Sequence, residues 1–328
     1  MYQTDLWKYC TPEYCRDMLL SFRLLGNARW PDQKVMACLY GFSNHTERHY
    51  HAVRIPKRDG TYRKLLVPDY MLMKIQRNIL HHILDGCGIS GCATAYHKGA
   101  GVMLNARAHT GKNVVVKLDI KDFFGSISFP MVLKSVFPVQ YFPPAVGTML
   151  TSLCCCNDFL PQGAPTSPAI SNLVMKHFDE SINKWCRDKG ISYTRYCDDM
   201  TFSGNFNPGL VIKKVSGFLN AMGFELNETK TRILYRNGRQ AVTGIVVNEK
   251  PQVSRDYRRK LRQEIFYCLK YGAKSHLERQ GSEAGISEEQ YFLSLLGKIR
   301  YVLLVNPEDQ WFREAEERVL AVLGRKAG

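Results

Sequence analysis

Apolar positions recur along this chain with two periods, and the places where the period changes mark its elements. Through about Tyr40 they fall at helical spacing, with Pro12 and Pro31 as punctuation, which predicts helices. Residues 50–56 and 61–68 read as two strands joined by Lys57-Arg58-Asp59-Gly60, whose Asp-Gly is a strong hairpin signal. From Leu72 the helical period returns. Leu72, Ile75, Ile79 and Ile83 form an apolar stripe, with Lys74, Arg77 and Asn78 off it, and such a stripe is core. Residues 114–120 are a β-branched run that reads as a strand carrying Asp119 near its end. A Gly/Pro-rich loop at 160–168 opens a helix, with Ser167 as cap, Pro168 at the first helical position and Ile170, Leu173, Val174, Phe178, Ile182 and Trp185 as its stripe. Residues 193–203 read as strand, tight turn, strand, with Asp198 and Asp199 at the tip. Leu210, Val211, Val215, Phe218, Leu219 and Met222 mark a further amphipathic helix, stopped by Gly223. Residues 233–247 read as a hairpin around Asn237-Gly238. Beyond Ser254 the spacing predicts a helix with Tyr257, Leu261, Ile265 and Leu269 on one face. A further helix starts at the capping box Ser287-x-x-Gln290, stapled by Ile286 and Tyr291, and runs to about Val305 before Asn306-Pro307.

Strand, helix, hairpin, helix, strand in that order predicts an α+β fold of the ferredoxin-like kind, with antiparallel strands and helices on one face. At 328 residues and 45% hydrophobic content the chain can bury an ample core in two or three subdomains. Charge changes the picture. A balance of 45 basic against 30 acidic residues, net +15, suits a partner with a phosphate backbone. No basic amphipathic anchor stands out for a membrane surface, and Asp5, Glu13, Arg16 and Asp17 interrupt the first apolar positions too early for a signal peptide or a spanning helix. The expectation is a cytoplasmic protein with no membrane partner. Eleven irregularly placed cysteines, among them Cys154-Cys155-Cys156, read as buried thiols rather than a disulfide framework. Cys87 and Cys92 have a ligand-like spacing, but no second Cys/His pair follows them at zinc-site spacing.

Candidate chemistry centres on Tyr196-Cys197-Asp198-Asp199. Two carboxylates side by side repel unless a cation compensates them, so an Asp pair at a rigid tip is a candidate magnesium site; the dipeptide alone also describes a turn that faces solvent. Asp119, on a separate strand, supplies a third carboxylate. Nucleotidyl transfer uses two divalent ions about 3.5–4 Å apart, held by carboxylates from separate strands. An aspartate strand, a Gln162-Gly163 loop ending in Ser167-Pro168 and a Tyr-x-Asp-Asp hairpin, in that order, resemble the palm of the reverse transcriptases.

Two shorter signatures narrow the resemblance. Asn105-Ala106-x-x-His109 would share one helix face, a pattern that by itself also describes a capping or core pair. Val242-Thr243-Gly244 would otherwise be an unremarkable strand segment or bulge. Together, Asn-Ala-x-x-His before the first catalytic strand and Val-Thr-Gly after the Asp-Asp hairpin resemble the retron reverse transcriptases, which copy a dedicated noncoding RNA into branched msDNA.

The resemblance implies a right-hand polymerase fold: N-terminal helices and fingers over residues 1–110, a ferredoxin-like palm over 111–250 and a helical thumb over 251–328. It implies RNA-directed DNA synthesis by two Mg2+ ions on Asp119, Asp198 and Asp199. Arg63 and Lys64 would clamp the incoming dNTP, although residues there also describe a solvated basic loop. Gln162 and Gly163 would line the nucleotide pocket, Lys230 in Leu226-Asn227-Glu228-Thr229-Lys230 would assist the leaving pyrophosphate, and Phe124 would bar a ribose 2′-hydroxyl. Asn105, His109 and Thr243 would serve RNA recognition. Arg255, Arg258 and Arg259 would lie along a nucleic-acid backbone, the alternative being a solvated basic face. For a retron enzyme the implied partners are a cognate noncoding RNA that primes from a guanosine 2′-hydroxyl, the msDNA product, and an effector protein acting in defence against phage. Three alternatives stand beside it. A group II intron-like enzyme usually has a longer C-terminal region, another bacterial type carries Ser-Gln in place of Ser167-Pro168, and a non-catalytic RNA-binding scaffold of polymerase fold would not need the three aspartates.

Overall fold

The computed structural model describes residues 6–26, 29–57, 60–275 and 287–324. Helices α1 (Pro12–Ser21) and α2 (Asp32–Asn44) come first, with Thr11 capping α1 through its hydroxyl. Strands β1 (Tyr50–Pro56) and β2 (Tyr62–Pro68) form the expected antiparallel ribbon, in register from Tyr50 opposite Pro68 to Pro56 opposite Tyr62. Arg58 and Asp59 of the expected turn lie outside the described residues.

Helix α3 (Tyr70–Ile79), capped by Asp69, buries Leu72, Ile75 and Ile79 as the stripe predicts. It passes directly into one π-helical turn, Leu80–Leu84, and there the core position moves from the expected Ile83 to Leu84. A π turn closes i→i+5 instead of i→i+4, so it shifts every later side chain by one position around the axis. Further elements are α4 (Val102–Arg107), β3 (Val114–Asp119), α5 (Phe129–Ser135), α6 (Pro144–Cys154), α7 (Ser167–Arg187), β4 (Ser192–Tyr196), β5 (Asp199–Gly204), α8 (Pro208–Ala221) and β6 (Arg232–Tyr235). Strands β7 (Ala241–Val242), β8 (Ile245–Val246) and β9 (Gln252–Val253) precede α9 (Arg255–Tyr271), α10 (Glu288–Val305) and α11 (Gln310–Val322).

One four-stranded sheet has the order β4-β5-β3-β6. Strand β3 lies inside it, and its run Val114, Val115, Val116 and Leu118 is buried, as a strand covered on both faces requires. The chain forms two compact units. The first contains Met1–Ala100, Lys117–Met200 and Asn207–Arg232; the second contains Gly101–Val116, Thr201–Phe206 and Ile233–Gly328. In the first unit α7 is the longest helix, and its stripe of Ile170, Leu173, Val174, Phe178 and Ile182 is buried. The core of the second gathers Val242, Ile245 and Val253 with Leu261, Ile265, Leu295, Ile299, Val302, Phe312 and Val319 from α9, α10 and α11. Tyr257, expected on the buried face of α9, is exposed instead, and Cys268 takes a core place below Leu261 and Ile265. The Ser287/Gln290 capping box of α10 is formed; Ile286 of its expected staple lies outside the described residues.

The hairpin expected over 233–247 does not form as a single ladder. The Asn237-Gly238 turn is present, with the Gly238 N–H bonded to Tyr235 O at 3.0 Å, but β6 joins the four-stranded sheet while β7 joins a separate sheet of order β7-β8-β9. The Asn248 side chain stands where a ladder would continue. It accepts from the Gln240 N–H at 2.9 Å and donates to Gly238 O at 2.7 Å. The Gln240 amide in turn donates to Asn113 O and Leu234 O. The tight hairpin is instead Val242-Thr243-Gly244-Ile245, with φ of 47° and 85° at its two central residues, the signs of a type I′ turn.

Candidate active site

The β4–β5 connection is only Cys197-Asp198, so the hairpin brings Asp199 to the first position of β5 and Asp198 to the turn beside it. Cys197 adopts φ of +60° at the first central position, where tight hairpins ordinarily place glycine. The Asp198 carbonyl accepts the Ile120 N–H at 3.2 Å, one residue beyond Asp119 at the end of β3. The Asp119 carbonyl accepts the Asn227 N–H at 2.8 Å. Those two backbone bonds draw the three aspartates and the segment carrying Lys230 to one place.

There they line a cleft of about 460 Å³ together with Arg63, Lys64, Phe124 and Gln162. Lys57, Tyr62, Tyr96, Asp122 and Asn227 line it too. For Lys57 and Tyr62 the basic hairpin was a usable sequence signal; Tyr96 and Asp122, both at positive φ, carried none, since only the fold turns their backbones toward the cleft. Gln162 reaches the cleft because its carbonyl accepts the Leu66 N–H of β2 at 2.9 Å, docking the loop against the ribbon. Gly163 makes that docking possible: it has φ of +128°, and a Cβ there would sit 2.7 Å from Leu66 O. Phe123 and Phe124 both border the cleft, but they stand in a turn over 121–126 rather than on an extended segment, and it is their exposure that differs: Phe123 is 3% exposed and packs near Phe224, whereas Phe124 is partly exposed.

Asp119 is only 5% exposed. Its Oδ1 accepts from Lys230 Nζ at 2.8 Å, and its Oδ2 is buried with no hydrogen-bond partner. That bond to Asp119 is the first cause holding the Lys230 ammonium above its ordinary pKa, with Asp198 and Asp199 adding to it. Burial, then the charges of Asp198 and Asp119, push the Asp199 carboxyl up, with Lys117 and Lys230 opposing. A site that makes a carboxylate reluctant to ionise and leaves another's oxygen unpartnered is short of positive charge. Hard anionic oxygens of this kind suit a divalent cation of the magnesium type. Among the described residues no three His, Cys, Asp or Glu side chains converge in chelating geometry, and the cation on Asp119 here is the Lys230 ammonium.

The remaining expected residues lie in the second unit. Asn105 and His109 are fully buried. The Asn105 amide donates to Thr243 Oγ1 at 3.5 Å, the Thr243 hydroxyl reaches Val102 O at 3.3 Å, and His109 Nδ1 lies 2.7 Å from Ser203 Oγ. Asn105 thus supports the turn in which Thr243 is partly exposed and Gly244 exposed, whereas the His109 ring meets Ser203. Burial lowers the His109 pKa to about 3, so the ring is neutral. Of the three arginines, Arg255 is exposed, Arg259 is 3.6 Å from Asp256, and Arg258 is partly buried, 3.7 Å from the carboxylate of Asp309. Arg262, not singled out by the sequence, also faces Asp309 at 3.7 Å and lies over the Trp311 ring.

Residues 55–267 match the family model described as reverse transcriptase (RNA-dependent DNA polymerase). The chain is 34% identical over 281 residues to the Retron Mx65 reverse transcriptase of Myxococcus xanthus, covering 80% of this chain and 62% of that one. It is 33% identical over 256 residues to the Retron Mx162 reverse transcriptase of the same organism, covering 67% and 53%. To the Retron Ec86 reverse transcriptase of Escherichia coli it is 31% identical over 221 residues, covering 66% and 68%. The match thus spans less than two thirds of the length of the first two relatives.

Proposed function

The chain belongs to the reverse transcriptases of the retron type, and from that premise we propose that it is an RNA-directed DNA polymerase whose chemistry takes place in the cleft of Asp119, Asp198 and Asp199. The observation that carries the proposal is the meeting of those three carboxylates, from two separate strand segments, with Arg63, Lys64, Phe124, Gln162 and Lys230 around one opening. Asp119, Asp198 and Asp199 would hold two magnesium ions, which when bound activate a primer hydroxyl and offset the charge of the triphosphate.

The protein's own residues do the rest. Arg63, Lys64 and Lys57 give the cleft mouth a cationic lining that draws in and orients a dNTP triphosphate. Lys230, held protonated by Asp119, stays a cation beside the departing pyrophosphate. Gln162, pinned to β2 through its carbonyl with Gly163 allowing the close approach, supports the nascent base pair. Phe124 offers a flat apolar face to the sugar and no partner for a 2′-hydroxyl. In this reading residues 1–110 serve as N-terminal helices and fingers, 111–250 as palm and 251–328 as thumb. Arg255 and Arg259 belong to the thumb's nucleic-acid surface, and Arg258, the third residue expected there, supports that helix from its place beside Asp309. Thr243, backed by Asn105, serves recognition of the cognate RNA, and His109 belongs to the same segment as Asn105.

The proposed template is a dedicated noncoding RNA, primed from one of its own 2′-hydroxyls to give branched msDNA. An effector protein is the proposed further partner, in cytoplasmic defence against phage. Among the described residues no helix is long and apolar enough to cross a membrane. The test is to sequence nucleic acid that copurifies with the protein and to assay primer extension on an RNA template with dNTPs and magnesium. DNA joined to RNA by a 2′–5′ linkage and RNA-templated extension are the expected results. Absence of both from folded protein would remove the proposal.

A further inference from the structure

Behind the Asp198 turn lies a polar network that the proposed chemistry does not use. Arg195, on β4 two residues before Cys197, is fully buried. Its Nε and Nη2 donate to the Asp179 carboxylate at 2.9 and 2.7 Å, and Nη2 also donates to Asn172 Oδ1 at 3.2 Å. Its remaining arm, Nη1, donates to the carbonyl of Cys197 at 3.0 Å. Asn172 and Asp179 stand two turns apart on α7, on one helix face, and the Tyr193 hydroxyl adds a further bond to Asp179 at 2.7 Å. The other edge of β4 is fixed as well: Arg195 N–H donates to Cys92 O, and both the N–H and the hydroxyl of Thr94 donate to Arg195 O. Two residues further along, Tyr96 places its hydroxyl 3.2 Å from Cys197 Sγ.

Cys197 is the strained residue of the turn, and a non-glycine residue at positive φ persists only where its surroundings impose it. Here a guanidinium grips its carbonyl and a phenol grips its sulfur. Since the peptide unit is planar, fixing the Cys197 carbonyl fixes the plane that leads into Asp198. Stability alone does not call for such a device, because well-packed apolar residues replace a buried ion pair at little or no loss. What apolar residues cannot supply is a donor aimed at that carbonyl.

We propose that Arg195, with Asp179 as its counter-ion, is a positioning residue for the catalytic carboxylates: it sets the Cys197–Asp198 peptide plane and hence the direction in which Asp198 and Asp199 present oxygen to a divalent cation. The inference rests on reading those aspartates as cation ligands.

The experiment uses the full chain and manganese(II) as probe, with binding followed by electron paramagnetic resonance in the absence of nucleotide, and steady-state kinetics measured separately. The double variant Asp179→Leu with Arg195→Met removes both charges together, so no uncompensated charge remains in the interior. Arg195→Lys keeps the charge beside Asp179 but replaces the planar fork, whose Nη1 and Nη2 point at separate acceptors, by one compact ammonium, and it carries the test if the double variant does not fold. In either folded variant manganese binding weakens on the order of tenfold, and kcat falls while KM for dNTP is unchanged. Ile182→Ala, a buried change on the same helix away from the turn, lowers stability and leaves manganese binding unaltered. If a folded Arg195 variant binds manganese and turns over as the parent does, the positioning role is overturned. Asp198→Asn with Asp199→Asn separates the two readings: manganese binding that survives this change removes the metal-ligand assignment itself, whereas its loss there and retention in the Arg195 variants removes only the positioning role.

Discussion

Neighbouring residues in this site have opposite fates, and substitutions should separate them. Phe123 is buried and Phe124 partly exposed, although both are large aromatics that border the cleft. Phe124→Ala is expected to admit ribonucleotides into product, read as rNTP against dNTP incorporation on an RNA template. Unchanged selectivity in a well-folded variant would place the sugar filter elsewhere. Phe123→Ala should leave selectivity alone and lower unfolding free energy by about 3–5 kcal/mol, the range for deleting a buried aromatic ring. Both rings are plain in the sequence, whereas their difference in exposure belongs to the turn over 121–126, in which Asp122 has a positive φ.

At the scale of elements, two short connections do more than join strands. The loop before α7 touches β2 backbone to backbone, and Gly163→Ala would drive a Cβ into Leu66 O at a φ unsuited to an L side chain. The expected outcome is a displaced Gln162, seen as a raised KM for dNTP, with the helical content of α7 intact by circular dichroism. The segment from α4 to His109 is the second. Its histidine has a folded pKa of about 3 against an ordinary 6.5, so the folded state binds fewer protons than the unfolded one between those values. Its contribution is therefore fully present above pH 6.5 and is lost as pH falls toward 3. By pH 5 the loss is about 2 kcal/mol, at 1.36 kcal/mol per unit below the unfolded pKa. Urea unfolding at pH 7.5 and pH 5 should show a steeper loss for the parent than for His109→Gln, and equal slopes would mean that the ring titrates normally.

Across the whole molecule the excess of positive charge is spread unevenly between free and paired groups. Arg255 and Arg259 on α9 are exposed, Arg259 beside the equally exposed Asp256, whereas Arg258 and Arg262 both lean on Asp309, whose side chain is 9% exposed. Arg255→Ala and Arg259→Ala should each reduce the log–log salt slope of duplex binding by about 0.7–0.9 with stability unchanged. Arg258→Ala should instead lower stability, because it strips a counter-charge from a nearly buried carboxylate. Binding titrations over a range of salt, paired with thermal melts, distinguish the two behaviours. If all three behave alike, the ion pair with Asp309 is not a structural one.

Features controlled by local physics are legible in the order of residues alone. The two runs at 50–56 and 61–68 set the β1–β2 ribbon, the Ser287/Gln290 box set the start of α10, and a β-branched run ending in Asp119 with a Tyr-x-Asp-Asp turn set the carboxylates that line the cleft. Each depends on a few contiguous residues whose spacing or turn chemistry admits few alternatives. Tertiary structure decided the partnerships. Nothing near residue 233 tells β6 to join β3's sheet and β7 to leave it, since a two-residue strand is selected by what it packs against rather than by its own pattern. The π turn after α3, which exchanges Ile83 for Leu84 in the core, is likewise invisible to a 3.6-residue period. Burial assigned the charged residues their roles in the same way. Arg195 reads in sequence as one more cation in a basic chain, and only the approach of α7, bringing Asp179 and Asn172 to it, makes it an interior support for the turn on which the aspartates sit.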